Sequence, residues 1–290
     1  MFFQPHTIEE ALALKREHGA AAAFIAGGTD LIVMMNRGRC PAKNYIDLSH
    51  IPGLDEIKRA RNDNPPADRM PPGAAEIYTA GCCATFSRLA ELPVTCLAGA
   101  ALSVGGPQIR NRGTIAGNIV SASPAGDGST ALLSLDAALE LRNANGPRLL
   151  PLRDFFLDYR KTALADDEMI VSIRFPAAWK SAWQKLGKRG AMNISMVCCS
   201  CAVSESGRFY AAFGSAGPNP MKARRTEEFL TGAAVRTGDG GMTLSGKAID
   251  EAARIAQEEV QPIDDFRGAA DYRRAMAGVL LKRALRQIIA

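Results

Sequence analysis

Ile25-Ala26-Gly27-Gly28-Thr29-Asp30-Leu31 is the stretch on which the reading of this sequence turns. Residues 21–26 form a short apolar run with the look of a buried strand, and residues 30–36 read as a helix. A strand that ends in two glycines and enters a helix lines successive backbone N–H groups around a concavity. The positive end of the helix dipole lies behind them, so such a turn suits an anion. A plain tight turn has the same sequence, and both readings stand at this point. Upstream, Thr7-Ile8-Glu9-Glu10 is a capping box. Ile8, Ala11 and Leu12 follow at helical spacing, and Gly19 supplies the stop. Residues 44–48 are a second strand candidate, so the first 49 residues predict a small parallel α/β unit.

Further out the character is mixed. Residues 62–73 are rich in proline and polar side chains and predict an exposed loop between strands near 54–60 and 76–82. Helices are expected at 85–92 and 94–102. Asn143-Ala144-Asn145-Gly146 predicts a hairpin joining 138–142 to 148–152. A strand at 168–175 stops at Pro176. Beyond it, 179–188, 194–203 and 209–214 read as three strands, followed by helices at 224–230, 246–260 and 269–289. The boundary between two domains is expected near residue 177.

Composition excludes several classes. Of the 290 residues 47% are hydrophobic and 22% charged, an ordinary globular balance with material for a packed core. The net charge of +5 is scattered in short clusters such as Arg110/Arg112, without the basic stripe that nucleic acid requires. No apolar run reaches the roughly eighteen residues of a membrane span, and the N-terminus lacks signal-peptide character. A cytoplasmic protein is expected. Seven cysteines lack zinc-finger spacing, and those at 82–83 and 198–201 sit in apolar runs where they read as buried small hydrophobes. His6, His18 and His50 have no acid–base partner in sequence. Neither a Rossmann glycine fingerprint nor a P-loop is present.

A second glycine-rich cluster occupies residues 105–118, GGPQIRNRGTIAGN, where Thr114 and Asn118 could hydrogen-bond a flat or phosphorylated ligand. AGGTDL at 26–31 and TIAGN at 114–118, in this order and spacing, resemble the two flavin-binding signatures of the medium subunit of the xanthine dehydrogenase family of molybdenum hydroxylases. The similarity continues through QIRNRGTIAGNIVSASPAGDGSTALLSLDA at 108–137, DEMIVSIRFP at 167–176 and KLGKRGAMNISMV at 185–197.

The resemblance implies an α+β fold of the vanillyl-alcohol oxidase (PCMH) type over residues 1–176, with subdomains 1–53 and 54–176. A smaller domain follows at 177–290, a three-stranded sheet with helices. It implies FAD on this chain. Ile25, Ala26, Gly27, Gly28, Thr29, Asp30 and Leu31, with Thr114, Ile115, Ala116, Gly117 and Asn118, would hold the diphosphate and its neighbours. Asp127 would bond toward the adenosine side, where its bland alternative is a helix cap. Ile170 would pack near adenine, Lys185 would lie by the isoalloxazine, and Val104 or Gly105 would approach the ring. No catalytic residue for a substrate and no metal ligand is assigned.

Two departures stand out. Ala116 replaces the first glycine of the usual second signature, and Asn193 stands where many relatives carry aspartate. The four-cysteine insertion of the 4-hydroxybenzoyl-CoA reductases does not interrupt 119–167, so no 4Fe–4S cluster is expected here. The resemblance further implies a heterotrimer with a molybdopterin-binding large subunit and a 2Fe–2S small subunit. Electrons would pass to NAD(P)+ or another acceptor. RGAMNISMV points toward the purine- and nicotinate-type branches. A stand-alone flavin oxidoreductase, or a carbon monoxide or aldehyde dehydrogenase subunit, is the alternative.

Overall fold

The computed structural model describes residues 1–39, 42–62, 74–190, 192–238 and 240–289. The predicted loop at 62–73 and Cys40 therefore fall almost wholly outside the described residues. Strand β1 (Phe2–Phe3), helix α1 (Ile8–His18), strand β2 (Ala22–Ile25), helix α2 (Leu31–Asn36) and strand β3 (Asn44–Asp47) make a parallel sheet in the order β1-β3-β2. The capping box forms with one change. Thr7 Oγ1 accepts from Glu10 N at 3.1 Å, but the Glu10 carboxylate turns back to His6 N at 2.8 Å, one residue before the cap. Gly19 ends α1 at φ +51°.

The larger sheet begins with β4 (Ile57–Arg61) and β5 (Glu76–Gly81). Five short helices intervene: α3 (Phe86–Leu89), α4 (Thr95–Ser103), α5 (Pro107–Arg110), α6 (Ile115–Val120) and α7 (Asp127–Ser134). Then come β6 (Ala138–Asn143), β7 (Gly146–Pro151), a small β8 (Phe156–Asp158) and β9 (Lys161–Thr162) pair, and β10 (Met169–Pro176). The sheet runs β4-β5-β10-β6-β7, antiparallel throughout, with a bulge between Ile170 and Ser172. Its hairpin turns where Asn143–Gly146 predicts, with Gly146 at φ +122°.

The last sheet has four strands where three are expected: β11 (Lys180–Leu186), β12 (Val197–Val203), β13 (Phe209–Gly214) and the two-residue β14 (Met221–Lys222). Helix α8 (Arg224–Ala233), the β15 (Val235–Arg236) and β16 (Met242–Thr243) ribbon, α9 (Gly246–Glu259) and α10 (Ala270–Ile288) complete the chain.

Both faces of this sheet are covered, which explains why β12, Val-Cys-Cys-Ser-Cys-Ala-Val, is buried at every position. Val197, Cys199, Cys201 and Val203 join the core under α8–α10, whereas Ala202, with Tyr210 and Ala212 of β13, belongs to the core of the larger domain. Helix α7 lies so close over Cys198, Ser200 and Gly214 on that second side that small residues are required there. A Cβ at Gly214 would come within 2.5 Å of both Cys198 Sγ and Thr130 Oγ1. The six described cysteines are free and buried, as their apolar setting predicts.

Polar groups also cross this seam. Buried Lys222 sits 2.7 Å from Asp136 and 3.6 Å from Glu227, over the ring of Tyr210, while Arg153 bonds Asp136 from the other side. Burial pushes the Glu227 carboxyl up to about 7, against the pull of Lys222. A folded value above the unfolded one means that the native state holds this proton more tightly. The associated stability is present at low pH and lost as pH rises from about 4.5 through 7, about 3 kcal/mol in all. Glu227→Gln keeps an acceptor for Ala211 N and titrates nowhere. Its stability advantage over the unsubstituted chain should therefore open between pH 5 and 8 and vanish below pH 4.5, as read by urea unfolding at a series of pH values.

Candidate FAD site

The two glycine-rich stretches meet face to face. Gly27 lies so close to the other loop that a Cβ there would stand 1.8 Å from the Arg112 carbonyl oxygen. Thr29 Oγ1 would be 3.5 Å from a Cβ on Gly113, and Ser121 Oγ donates to Asp30 Oδ2. The loop that receives Gly27 is fixed by its own backbone: Gly113 N bonds Ile109 O at 2.6 Å, Phe86 N bonds Gly113 O, and Ile115 N bonds Ala84 O. The glycine that sequence reasoning places against an anion is thus needed first for loop-on-loop packing. Gly28 serves the turn through its φ of +71°.

What remains open is a row of donors. The N–H groups of Gly27, Gly28, Thr29 and Asp30 take no hydrogen-bond partner among the described residues, and neither does Ala116 N–H at the start of α6. A Cβ at Gly117 would meet only Thr114 Oγ1, at 3.1 Å. Unpaired amides in two packed glycine loops, with an open face at Gly117, are the chemistry that a diphosphate requires, so these residues fit that part of FAD. Ala116 carries no positive φ and its methyl is buried, so the departure from glycine is accommodated inside a normal helical turn.

Other members of the two signatures are occupied by the fold. Thr114 caps α6 by accepting from Gly117 N at 3.2 Å. Asn118 Oδ1 accepts from Ser129 N and Oγ, which ties α6 to α7. Ile25, Ile115 and Ile170 are core side chains, and the Ile115 amide is already used. Leu31 opens α2 half-buried. Gly105, at φ +47°, packs on Ile109. Arg110 donates to the carbonyls of Val104 and Gly105 and holds that turn.

Asp127 and Lys185 meet in the fold. Lys185 Nζ is 2.6 Å from Asp127 Oδ2, and both side chains are buried. The roles that the family resemblance implies, toward the adenosine side for Asp127 and at the isoalloxazine for Lys185, do not anticipate this contact. Asp127 does not cap α7 either, since Gly126 holds the cap position. The pairing follows from how β11 meets α4. Alternate residues of the strand face the helix, so Ser181 accepts from Cys96 N, Trp183 packs on Gly99, and Lys185 reaches Ser103 O at 2.9 Å. Ser103 and Ser195 complete the shell of Asp127. Burial raises the Asp127 carboxyl, and Lys185 and the two hydroxyls oppose that shift.

Residues 1–178 match the family described as the FAD binding domain in molybdopterin dehydrogenase, and residues 182–288 match the CO dehydrogenase flavoprotein C-terminal domain. The chain belongs to the FAD-binding medium subunits of the molybdenum hydroxylases, and it is an oxidoreductase flavoprotein subunit of xanthine dehydrogenase-like complexes. It is 32% identical to the carbon monoxide dehydrogenase medium chain of Hydrogenophaga pseudoflava, over 98% of this chain and 95% of that one. With the nicotinate dehydrogenase FAD-subunit of Eubacterium barkeri it shares 33% over 80% of this chain and 79% of that one. The solved structure of the Hydrogenophaga carbon monoxide dehydrogenase lacking its Mo-pyranopterin moiety superposes with a TM-score of 0.84 at 30% identity, covering 99% and 96% of the two chains. No helix among the described residues is long and apolar enough to cross a membrane.

Proposed function

We propose that this chain relays electrons from 2Fe–2S clusters on a small partner subunit, through its FAD, to NAD(P)+ or another acceptor. A molybdopterin-binding large subunit would carry the substrate chemistry, in a cytoplasmic complex. The observation that supports the reading is the row of unpaired amides at Gly27–Asp30, in the turn that packs against Arg112 and Gly113 just before the second signature. Bound FAD accepts electrons singly and releases a pair as hydride. This chain's residues do the holding. The paired loops take the diphosphate, Arg110 fixes the Val104–Gly105 turn beside the ring, and Lys185 supplies a buried positive charge anchored by Asp127.

For the complex as a whole, the proposed reaction is hydroxylation of an N-heterocycle of the purine or nicotinate kind. RGAMNISMV at 189–197 and the identity with the nicotinate dehydrogenase subunit support it. The similarity to a carbon monoxide dehydrogenase medium chain over nearly the whole length favours a second reading, carbon monoxide oxidation. The test is purification from the native host. A flavin spectrum together with co-purified molybdenum and iron–sulfur subunits is expected, and anaerobic addition of a heterocycle should bleach the flavin where carbon monoxide does not. A yellow chain that stays alone and oxidises an organic substrate directly would overturn the relay.

A further inference from the structure

A buried line of hydrogen bonds runs from the C-terminal helix to the Asp127–Lys185 pair. Arg273 is 2% exposed. Its guanidinium donates to three backbone carbonyls, those of Met196 at 2.8 Å, Ile263 at 2.7 Å and Ser215, with Asp265 3.4 Å away as counter-ion. Ser215 is fully buried at φ +56°. A residue with a side chain keeps that conformation only where its surroundings impose it. Here every polar group of Ser215 is engaged. Its N–H donates to Pro124 O at 2.6 Å, its Oγ to Ser195 O at 2.8 Å, and its carbonyl receives Arg273. Pro124 lies three residues before Asp127, so this one residue grips both halves of the chain next to the pair. Ser195, 1% exposed, in turn donates its Oγ to Asp127 Oδ1 at 2.6 Å.

We propose that Ser195 is a positioning residue for Lys185, acting through Asp127 and held in register by Ser215 and Arg273. The proposal rests on the reading that Lys185 lies at the flavin. Asp127 Oδ2 receives both Lys185 at 2.6 Å and Ser103 Oγ at 3.3 Å, whereas Oδ1 has Ser195 as its one partner among the described residues. Without that donor half of a buried carboxylate loses its solvation, and it takes a proton more readily. A protonated Asp127 releases its hold on the ammonium. The ionisable groups facing Asp127 are Lys185 on β11 and the Cys198 thiol on β12, which burial keeps neutral.

The experiment is a pH titration of the oxidised flavin spectrum in the intact, flavin-loaded complex. Ser195→Ala should move the midpoint of the pH-dependent change upward by about one unit, tenfold in proton affinity, the size of one hydrogen bond to a charged group. Ser215→Gly accepts the left-handed backbone freely but drops the hydroxyl that holds Ser195, and it should shift the midpoint the same way by less. It answers the question even where Ser195→Ala does not accumulate. Lys185→Met should abolish the change. If Lys185→Met leaves the spectrum and its titration intact, the placement of Lys185 at the flavin fails and this proposal with it. If Lys185→Met abolishes the change while the two serine variants titrate normally, the placement stands and the positioning role of Ser195 is overturned.

Discussion

Gly27→Ala should yield a protein without flavin colour. The added methyl would stand 1.8 Å from the Arg112 carbonyl oxygen and 2.7 Å from its carbon. Both are backbone atoms, so no side chain can swing aside. The receiving loop is held by backbone bonds to Ile109, Phe86 and Ala84, and Gly27 itself lies two residues past the end of β2. Relief requires the two loops to part by more than an ångström, which takes the Gly27–Asp30 amides away from Ala116 and Gly117. Overpacking of a fixed backbone costs about 1–3 kcal/mol or more, and each 1.4 kcal/mol spent on the bound geometry is about tenfold in affinity.

Gly117→Ala makes the contrasting case. Its methyl meets only a threonine hydroxyl at 3.1 Å, so the empty fold should tolerate it while the open glycine face is lost. Flavin absorbance per protein after gel filtration, read beside the unfolding midpoint, separates the two. Gly27→Ala should lower both, and Gly117→Ala chiefly the first. Full flavin retention in Gly27→Ala would show that the loop pair is not the cradle.

These outcomes depend on information that the sequence holds unevenly. The glycine turn was legible because its constraint is local: a strand, two glycines and a helix specify a donor-lined bend within seven residues. That Gly27 is reserved for the Arg112 carbonyl was not, since nothing along the chain sets the distance between positions 27 and 112. The β12 run announced a buried strand by its apolar composition, but the reason for its small residues is the closeness of α7, known only from packing. Strand β14 escaped because two residues give no periodicity.

Arg273 could have been found. It falls on the stripe continued by Ala277, Leu280, Leu281, Ala284, Leu285 and Ile288 at helical spacing, all buried. An arginine on the apolar face of a helix signals an internal partner, and a reading that treats scattered positive charge as solvated passes over it. Asp127 and Lys185 were each singled out, yet the separate roles taken from the family resemblance hid their contact. Charge and burial supply what that resemblance lacked. A lysine on the face of a strand that packs against a helix needs a carboxylate, and α7 offers Asp127.

Breaking that pair is the second large effect. In Asp127→Asn the Lys185 ammonium, 10% exposed, keeps only the Ser103 carbonyl. In Lys185→Met the carboxylate keeps two hydroxyls and no counter-charge. Removing one member of a buried ion pair typically costs about 3–5 kcal/mol, mostly the penalty of the charge left behind. Replacing both members leaves no such charge. The double variant Asp127→Asn/Lys185→Met retains an amide that can accept from Ser195 and a side chain that fills the lysine's path beside α4, so it should recover most of the stability lost in either single variant. A double-mutant cycle by urea unfolding measures this directly, and simple additivity of the two losses would show that the pair is not coupled. The recovered double variant then isolates the charge from the fold. With the seam between α4 and β11 restored and only the ammonium missing, any remaining change in flavin spectrum or retention belongs to the charge itself.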